Sequence, residues 1–357
     1  MGLAFDHTTL AQRVLFGSGQ AVENTATVIG DHGAARVLLI HDDFASDLGD
    51  DIAAQIPVAA RIRGVVQHVP ADRAAAAVDE AIGANCDAIV SIGGGSATGL
   101  AKIVALRTGI PIIAVPTTFA GSEATNVWGI TEHERKQTGI DARVLPVAVV
   151  YDALLSTGLP GGLAIASGLN AVAHAVDGFW APKADPINQA LGTEGLRALV
   201  PGLRRLHDDA GDLEARELTL YGAYLAAVAF ASAGSGLHHK ICHVLGGRYN
   251  LSHAETHAVV LPYVTAFNAP EAPDAAARIS AVFDGAPAPE ALFSFGQHVG
   301  APRSLADLGL REQDIPEAAD LVLPSVPPSN PRSVDLPALE ELLRSAWAGD
   351  PVGKGQS

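Results

Sequence analysis

The sequence predicts two domains: an α/β N-terminal domain with a parallel, Rossmann-like sheet, followed by an all-α C-terminal domain. Three observations predict this architecture. Short apolar runs alternate with helical segments in the first half, as in parallel sheets with crossover helices. Long Ala/Leu/Gly-rich helical segments fill the second half, after a Pro/Gly-rich hinge at 156–162. A chain of 357 residues also suits two cores better than one. We therefore predict domains at 1–158 and 159–357, with the active site in the cleft between them.

The strands of the first domain are predicted from runs of branched apolar residues. Such runs are typical of strands that are buried on both faces of a sheet. They are RVLLIHD (36–42), GVVQHVP (64–70), DAIVSIGGGS (87–96, ending in a glycine loop), PIIAVPTT (111–118) and PVAVVYD (146–152). Between them, helices are predicted at 71–86, with a stop at Gly83, and at 96–109.

The second domain is predicted to be helical because its periodic segments are long and strand patterns are scarce. Helices are expected at 163–180, 187–206, 212–234 and 237–246. A proline-rich loop at 323–333 precedes a last helix at 336–347.

Composition and charge exclude several classes of partner. The net charge is −16, from 39 acidic and 23 basic residues, which argues against nucleic acid and anionic membranes as partners. The two cysteines, Cys86 and Cys242, are far apart in sequence, so a disulfide framework is not expected and a reducing cytoplasm suits the chain. We find no pattern of a signal peptide or a membrane span.

The glycine loop at 91–102 is a candidate pyrophosphate site. It follows a strand and opens a helix, and its glycines allow backbone N–H groups to approach a phosphate closely. Gly93, Gly94, Gly95 and Ser96 are the candidate residues. A tight strand-to-helix turn without a ligand is the alternative.

Two further groups could line a cofactor cleft at the carboxyl ends of strands. Asp42 could accept hydrogen bonds from a ribose diol and would repel a 2′-phosphate, which favours NADH over NADPH. Thr117, Thr118 and Ser122 follow the strand at 111–118. Helix capping by Asp42 and by Ser122 is the alternative interpretation.

The third candidate site is a cluster of polar side chains in the second domain. His239 and His243 lie four residues apart on one helix face, and Asn170 and His174 do the same on another helix. His253 follows a glycine-containing loop. Three histidines and a carboxylate would bind zinc or iron, but the amide of Asn170 is neutral and a weaker ligand. The residues therefore predict poor metal binding and imidazoles that work by hydrogen bonding and proton transfer.

Several of these motifs, taken in order, resemble the iron-containing alcohol dehydrogenase superfamily and, within it, the maleylacetate reductase subgroup. They are RVLFGSG, GGGSATGLAKIVALRTGIPIIAVPTTFAGSEAT, SGLNAVAHAVDGFWAP, LHHKICHVLGG and SHAETHAVVLP. The metal-bearing relatives have an Asp-x-x-x-His helix and two further histidines fourteen apart. The corresponding positions here are Asn170, His174, His239 and His253. Asn170 departs from that pattern, so the resemblance implies vestigial metal positions and no bound metal.

The resemblance implies the dehydroquinate synthase-like fold, NADH (or NADPH) as the cofactor, and a homodimer. It implies reduction of the carbon–carbon double bond of maleylacetate, a small dicarboxylate, in the catabolism of aromatic compounds. It adds Lys136 to the cofactor contacts and places His243 near the nicotinamide. We predict that His243 is the proton donor, with His239, His253, His174 and Asn170 as hydrogen-bonding partners, and that Lys240, His238 or Arg248 binds a substrate carboxylate. For Lys136 and Lys240, a solvated surface lysine is the alternative.

Three other functions remain open at this point. A metal-dependent alcohol dehydrogenase would share the fold but would need a metal despite Asn170. A lyase of the dehydroquinate synthase type would want a fuller metal site and more basic residues. A non-catalytic nucleotide-binding module would leave the crowded histidines without a use.

Overall fold

The computed structural model describes residues 4–65, 69–132 and 135–353. The chain divides into two compact units, one formed by Leu10–Leu159 and the other by Met1–Thr9 with Pro160–Ser357. The first unit is an α/β domain on a parallel sheet, and the second is helical. The predicted fold class is therefore confirmed.

The α/β unit contains a six-stranded parallel sheet. Its strands are β1 (Arg13–Phe16), β2 (Val37–His41), β3 (Val58–Ile62), β4 (Ala88–Gly93), β5 (Ile112–Pro116) and β8 (Ala148–Tyr151), in the spatial order β1-β8-β5-β4-β2-β3. Because β5, β4 and β2 are parallel neighbours, the loops after these strands emerge at the same edge of the sheet.

Helices cover both faces of this sheet. They are α1 (Ala21–His32), α2 (Ser46–Ala53), α3 (Ala71–Gly83) and α4 (Gly95–Thr108). Leu38 and Ile40 of β2 pack with α3 and α4, whereas Val37 and Leu39 pack with α1 and α2. Burial on both faces explains why β2 has a continuous apolar sequence.

Two parts of the α/β unit differ from the sequence prediction. The prediction of a strand at 64–70 is wrong for the described residues, because the strand that precedes α3 is β3. Residues 66–68 of that prediction lie outside the described residues. An unpredicted antiparallel hairpin, β6 (Val127–Glu132) and β7 (Arg135–Ile140), follows β5.

The second unit is built from helices of varied length. They are α5 (Gly161–Gly178), α6 (Pro186–Asp208), α7 (Leu213–Ala233), α8 (Leu237–Tyr249), α9 (His253–Asn268), α10 (Pro273–Val282), α11 (Ala288–His298), α12 (Ile315–Val322) and α13 (Leu336–Ala348). Small residues let α6 and α7 approach closely: a Cβ on Gly222 would lie 2.8 Å from the carbonyl oxygen of Gly195.

No single helix in the described ranges is long and apolar enough to cross a membrane. One pair of helices joined at a bend, α7 and α8, is long and apolar enough when the two are taken together, judged by length and composition only.

Candidate active site

The glycine loop between β4 and α4 is shaped so that a ligand can come close to the backbone. Gly93 has a φ of 143°, and a Cβ on it would lie 2.9 Å from Asp42 Oδ2. A Cβ on Gly94 would lie 2.9 Å from Thr118 Cγ2. Within the described part of the chain, α4 begins at Gly95 without a side-chain cap and without an acidic residue in its first turn. Its first N–H groups are therefore suited to an anion.

Asp42 caps a short helix, which is one of the two interpretations that the sequence left open, and it also lies beside the glycine loop. Its Oδ1 accepts a hydrogen bond from the Ala45 N–H at 3.0 Å, so it caps a short helix. Its other carboxylate oxygen lies against Gly93. Burial raises the pKa of Asp42, and hydrogen bonds from the backbone oppose this effect. The cap thus holds the carboxylate beside the candidate phosphate loop.

The predicted polar side chains after β5 lie in the loop next to the glycines. The N–H of Thr117 donates to the Gly93 carbonyl at 3.1 Å, and the methyl group of Thr118 faces Gly94. Ser96 lies half-buried in the first turn of α4. Ser122 begins a short 3-10 helix whose N-cap is the preceding glycine, so the predicted capping role of Ser122 is not observed.

The buried Lys102 of α4 anchors this loop. Its Nζ donates to the carbonyl oxygens of Ser122, Thr125 and Val127 at 2.7–2.8 Å. Burial lowers the pKa of Lys102 to about 7, although the charge of Glu123 opposes the shift. The phosphate helix and the loop after β5 are thereby tied together. Lys136 lies in β7, but its side chain is outside the described residues.

The polar cluster of the helical unit begins on α5. Asn170 and His174 lie one turn apart on this helix, as the spacing predicts, and both are buried. The His174 ring stacks on His239 of α8, with centroids 5.3 Å apart and planes inclined by 15°. Phe230 of α7 packs against both rings, 4.8 Å from His174 and 4.3 Å from His239. An apolar wall therefore confines the imidazoles.

A carboxylate that the sequence argument did not single out holds this cluster in place. The His239 Nδ1–H donates to Asp177 Oδ2 at 2.7 Å, and the Gly236 N–H donates to the same oxygen at 2.7 Å. Trp180 Nε1 donates to the other oxygen at 3.3 Å. A Cβ on Gly236 would lie 2.5 Å from Asp177 Oδ1, so only glycine lets α8 begin so close to α5. This contact fixes the tautomer of His239, whose Nε2 keeps its lone pair.

His243 and His253 lie at the exposed side of the cluster. The His243 ring is 6.1 Å from His239, one helical turn away on α8. His253 begins α9, and its ring lies 4.4 Å from that of His257. His257 in turn lies 4.8 Å from His239. The structure thus brings α8 and α9 together through a residue to which the sequence argument assigned no chemistry.

The three residues proposed to bind a substrate carboxylate are placed differently. His238 and His257 are both completely buried, and His238 Nε2 is hydrogen-bonded to His257 Nδ1 at 2.9 Å, so the nitrogen that would bind a carboxylate is already engaged within the cluster. Arg248 lies at the far end of α8 in an ion pair with Glu317 at 2.8 Å. Lys240 is half-buried next to His239.

The buried imidazoles share one electrostatic property. Burial lowers the pKa of each ring well below 6.5, and neighbouring imidazoles add to the shift. The rings are His174, His238, His239 and His257. They are therefore neutral near pH 7, which is the state in which a ring nitrogen can bind a cation.

Two protein-family models together match almost the whole chain. Residues 11–153 match the model described as "Iron-containing alcohol dehydrogenase". Residues 164–347 match "Fe-containing alcohol dehydrogenase family, C-terminal". A maleylacetate reductase from Pseudomonas knackmussii is 43% identical over 97% of this chain and 99% of its own length. One from Rhizobium sp. is 40% identical over 97% and 98%.

Solved structures of proteins with the same names are also similar to this chain. An iron-containing alcohol dehydrogenase from Corynebacterium glutamicum superposes with a TM-score of 0.95 at 48% identity, covering 98% of both chains. A maleylacetate reductase from Agrobacterium tumefaciens superposes with a TM-score of 0.93 at 37% identity, covering 98% of this chain and 99% of the other.

These matches overturn the prediction that no metal is bound, because both family models describe iron-containing proteins. The side chains agree with a cation site. Asn170 Oδ1, His174 Nδ1 and His239 Nε2 are buried and have no hydrogen-bond partner among the described residues. The sequence-based prediction of poor metal binding took account of the charge at position 170 alone. Asp177, whose carboxylate accepts a hydrogen bond from His239 Nδ1 and polarises that ring, was not included.

Proposed function

This chain belongs to the iron-containing alcohol dehydrogenase family, and on that premise we propose that it is a maleylacetate reductase that uses NADH. It is an oxidoreductase that acts on a CH–CH group. One geometric observation carries the proposal. Buried, neutral imidazoles cluster on three helices, Asn170 lies one helical turn from His174, and several of the buried ring nitrogens and the Asn170 oxygen have no partner among the described residues. Relatives of that name match nearly the full length of the chain.

The α/β unit supplies the groups that would bind the dinucleotide. The cramped glycines after β4 and the uncapped start of α4 suit the pyrophosphate, and Asp42 suits a ribose diol. Thr117, Thr118 and Ser122 line the neighbouring loop, with Lys136 as a further candidate. When bound, NADH supplies a hydride to the alkene carbon β to the ketone of maleylacetate.

The helical unit supplies the groups that would act on the substrate. Negative charge develops on the ketone oxygen during reduction, and donors placed at that oxygen lower the barrier by a few kcal/mol each. Asn170, His174 and His253 were predicted to be these donors, but the same side chains are the ones that would hold the family's metal ion, which would then supply the positive charge at that oxygen. His243 is the candidate acid that protonates the carbon next to the ketone, because it lies at the exposed side of the cluster. Lys240 is the remaining candidate partner for a carboxylate.

Four residues would hold the family's metal ion: Asn170, His174, His239 and His253. A bound divalent cation supplies Lewis-acid polarisation of a carbonyl oxygen. The chain's own contribution is to hold neutral nitrogen donors in an apolar wall, with Asp177 orienting His239. Metal-dependent alcohol oxidation is the second candidate function, favoured by this same donor set.

The test is NADH oxidation with maleylacetate as the only acceptor, using protein of known metal content. We expect maleylacetate-dependent NADH oxidation and formation of 3-oxoadipate. Oxidation of NADH by short aldehydes alone, with none by maleylacetate, would favour the second candidate.

We also propose a cytoplasmic homodimer. Both cysteines, Cys86 and Cys242, are buried and unpaired, as a reducing compartment allows. The edge strand β1 exposes Val14 and Phe16, an apolar surface that a second copy could cover.

A further inference from the structure

His257 is held in the same way as His239, although neither the proposed mechanism nor the predicted metal site uses it. The Nδ1 of His239 is held by Asp177, and the Nδ1 of His257 is held by His238 Nε2 at 2.9 Å. In both rings the Nε2 atom is buried and has no partner within the described residues. A buried polar atom without a partner calls for an explanation.

The position of His257 places it inside the cluster. Its ring centroid is 4.8 Å from His239, which is closer than His174 at 5.3 Å or His243 at 6.1 Å. It also lies 4.4 Å from His253. The side chain therefore adjoins the residues that would bind the substrate, and it is the nearest of these rings to His239.

A separate metal site explains this arrangement less well. The ligand atoms of His238, Cys242 and His257 lie within 4.8 Å of one another. However, the first and last of these are already joined by a hydrogen bond, and Cys242 Sγ lies 3.7 Å from His238 Nε2. Those contacts account for Nδ1 of His257 and leave its Nε2 unexplained.

The residue that is hydrogen-bonded to Nδ1 of each ring determines whether its Nε2 atom accepts or donates. Asp177 can only accept, so His239 carries its proton on Nδ1 and offers a lone pair at Nε2. His238 can donate from Nε2, and when it does, His257 carries its proton on its own Nε2. One ring then suits a cation and the other suits an anionic oxygen.

We propose that His257 is a substrate-binding residue whose Nε2–H donates to a carboxylate oxygen of the dicarboxylate substrate, with His238 as the positioning residue that holds the ring. This inference rests on the proposed function, because it takes the substrate to be a dicarboxylate. It gives a role to His238 that is consistent with its hydrogen bond to His257 Nδ1.

The test compares two amides that each mimic one ring nitrogen. His257→Gln places an N–H near the Nε2 position, whereas His257→Asn retains only a group near Nδ1. For the Asn variant we expect the KM for maleylacetate to rise about tenfold to a hundredfold, the loss associated with one hydrogen bond to a charged group. We expect the Gln variant to stay close to wild type. The Kd for NADH and the Kd for Co²⁺ should not change in either variant. His298→Gln, at the exposed end of α11, is the matched control.

If the wild-type protein is active with maleylacetate, the proposed function stands, and any one of three results would still overturn the inference. They are an unchanged KM in the Asn variant, equal impairment of both variants with a lower melting temperature, and weaker Co²⁺ binding, which would make His257 a metal ligand. If position 257 does not tolerate substitution, the same comparison is made at His238. There Gln retains a donor near Nε2 and Asn does not, and a KM that is the same in both variants would overturn the proposal. A wild-type protein inactive with maleylacetate would instead refute the proposed function.

Discussion

Replacement of Asp177 by Asn tests whether a buried carboxylate organises the histidine cluster. The carboxylate accepts hydrogen bonds from His239 and Gly236 at 2.7 Å and from Trp180 at 3.3 Å. Asn has a single acceptor oxygen. If that oxygen takes the place of Oδ2, the amide NH₂ opposes the Trp180 N–H and leaves it without an acceptor.

The expected cost follows from these contacts. A hydrogen bond to a charged group contributes about 1.5–3 kcal/mol and a neutral one about 1 kcal/mol, so weakening two short bonds costs about 2 kcal/mol. The unsatisfied indole N–H adds about 1–3 kcal/mol. We therefore expect Asp177→Asn to lower the free energy of unfolding by about 3–5 kcal/mol. We also expect it to weaken Co²⁺ binding by about 10–100-fold, as for other partners of ligand histidines.

Urea unfolding measures the first quantity, and titration of the metal-free protein with Co²⁺ measures the second. Asp31→Asn is the control, since Asp31 forms an ion pair with Arg13 in which both side chains are at least half exposed. Unchanged stability together with unchanged Co²⁺ affinity in Asp177→Asn would refute the reasoning.

Three further predictions concern other parts of the molecule. Gly93→Ala should abolish NADH binding in a fluorescence titration, because its Cβ would lie 2.9 Å from Asp42 Oδ2 and its φ is 143°; NADH binding with wild-type affinity would contradict the assigned phosphate loop. His243→Ala should reduce kcat by about 10²–10⁴-fold while the Kd for NADH stays nearly the same, and an unchanged kcat would remove it from the mechanism. Burial alone would raise the pKa of Asp185, but backbone N–H groups at the start of α6 and the His7 ring outweigh it and lower the pKa below 3.8. This stabilisation is present above the unfolded-state pKa and is lost as the pH falls through the folded-state pKa. Asp185→Asn should therefore lose less stability than wild type as the pH is lowered below about 4, as measured by urea unfolding at a series of pH values. The same loss of stability in both proteins would contradict the prediction.

The sequence predicted the parts of the fold in which composition and environment agree. The strands β2, β4, β5 and β8 are buried on both faces, so their apolar runs were sufficient. β3 contains Arg61 and is mostly half-buried, and β1 is an exposed edge strand; neither has a continuous apolar pattern. β1 pairs with β8, which is far away in the sequence, and β3 pairs with β2, so both are defined by their partner strands and not by a pattern of their own.

The candidate site was predictable where it follows helical spacing within one helix. The pairs Asn170/His174 and His239/His243 were found in this way. His257 lies four residues after His253 and carried the same signal, which the sequence argument did not use. Asp177 could not be assigned from spacing, because its role depends on the contact between α5 and the first residues of α8.

The position of the transferred hydrogen tests the proposed function most directly. The reaction is run with NADH that carries deuterium at the transferable position, and the product is examined by NMR. We predict 3-oxoadipate with one deuterium on the carbon β to the ketone, the former alkene carbon. Deuterium on a newly formed carbinol carbon, with the double bond intact, would show that the enzyme reduces a carbonyl group and would contradict the account.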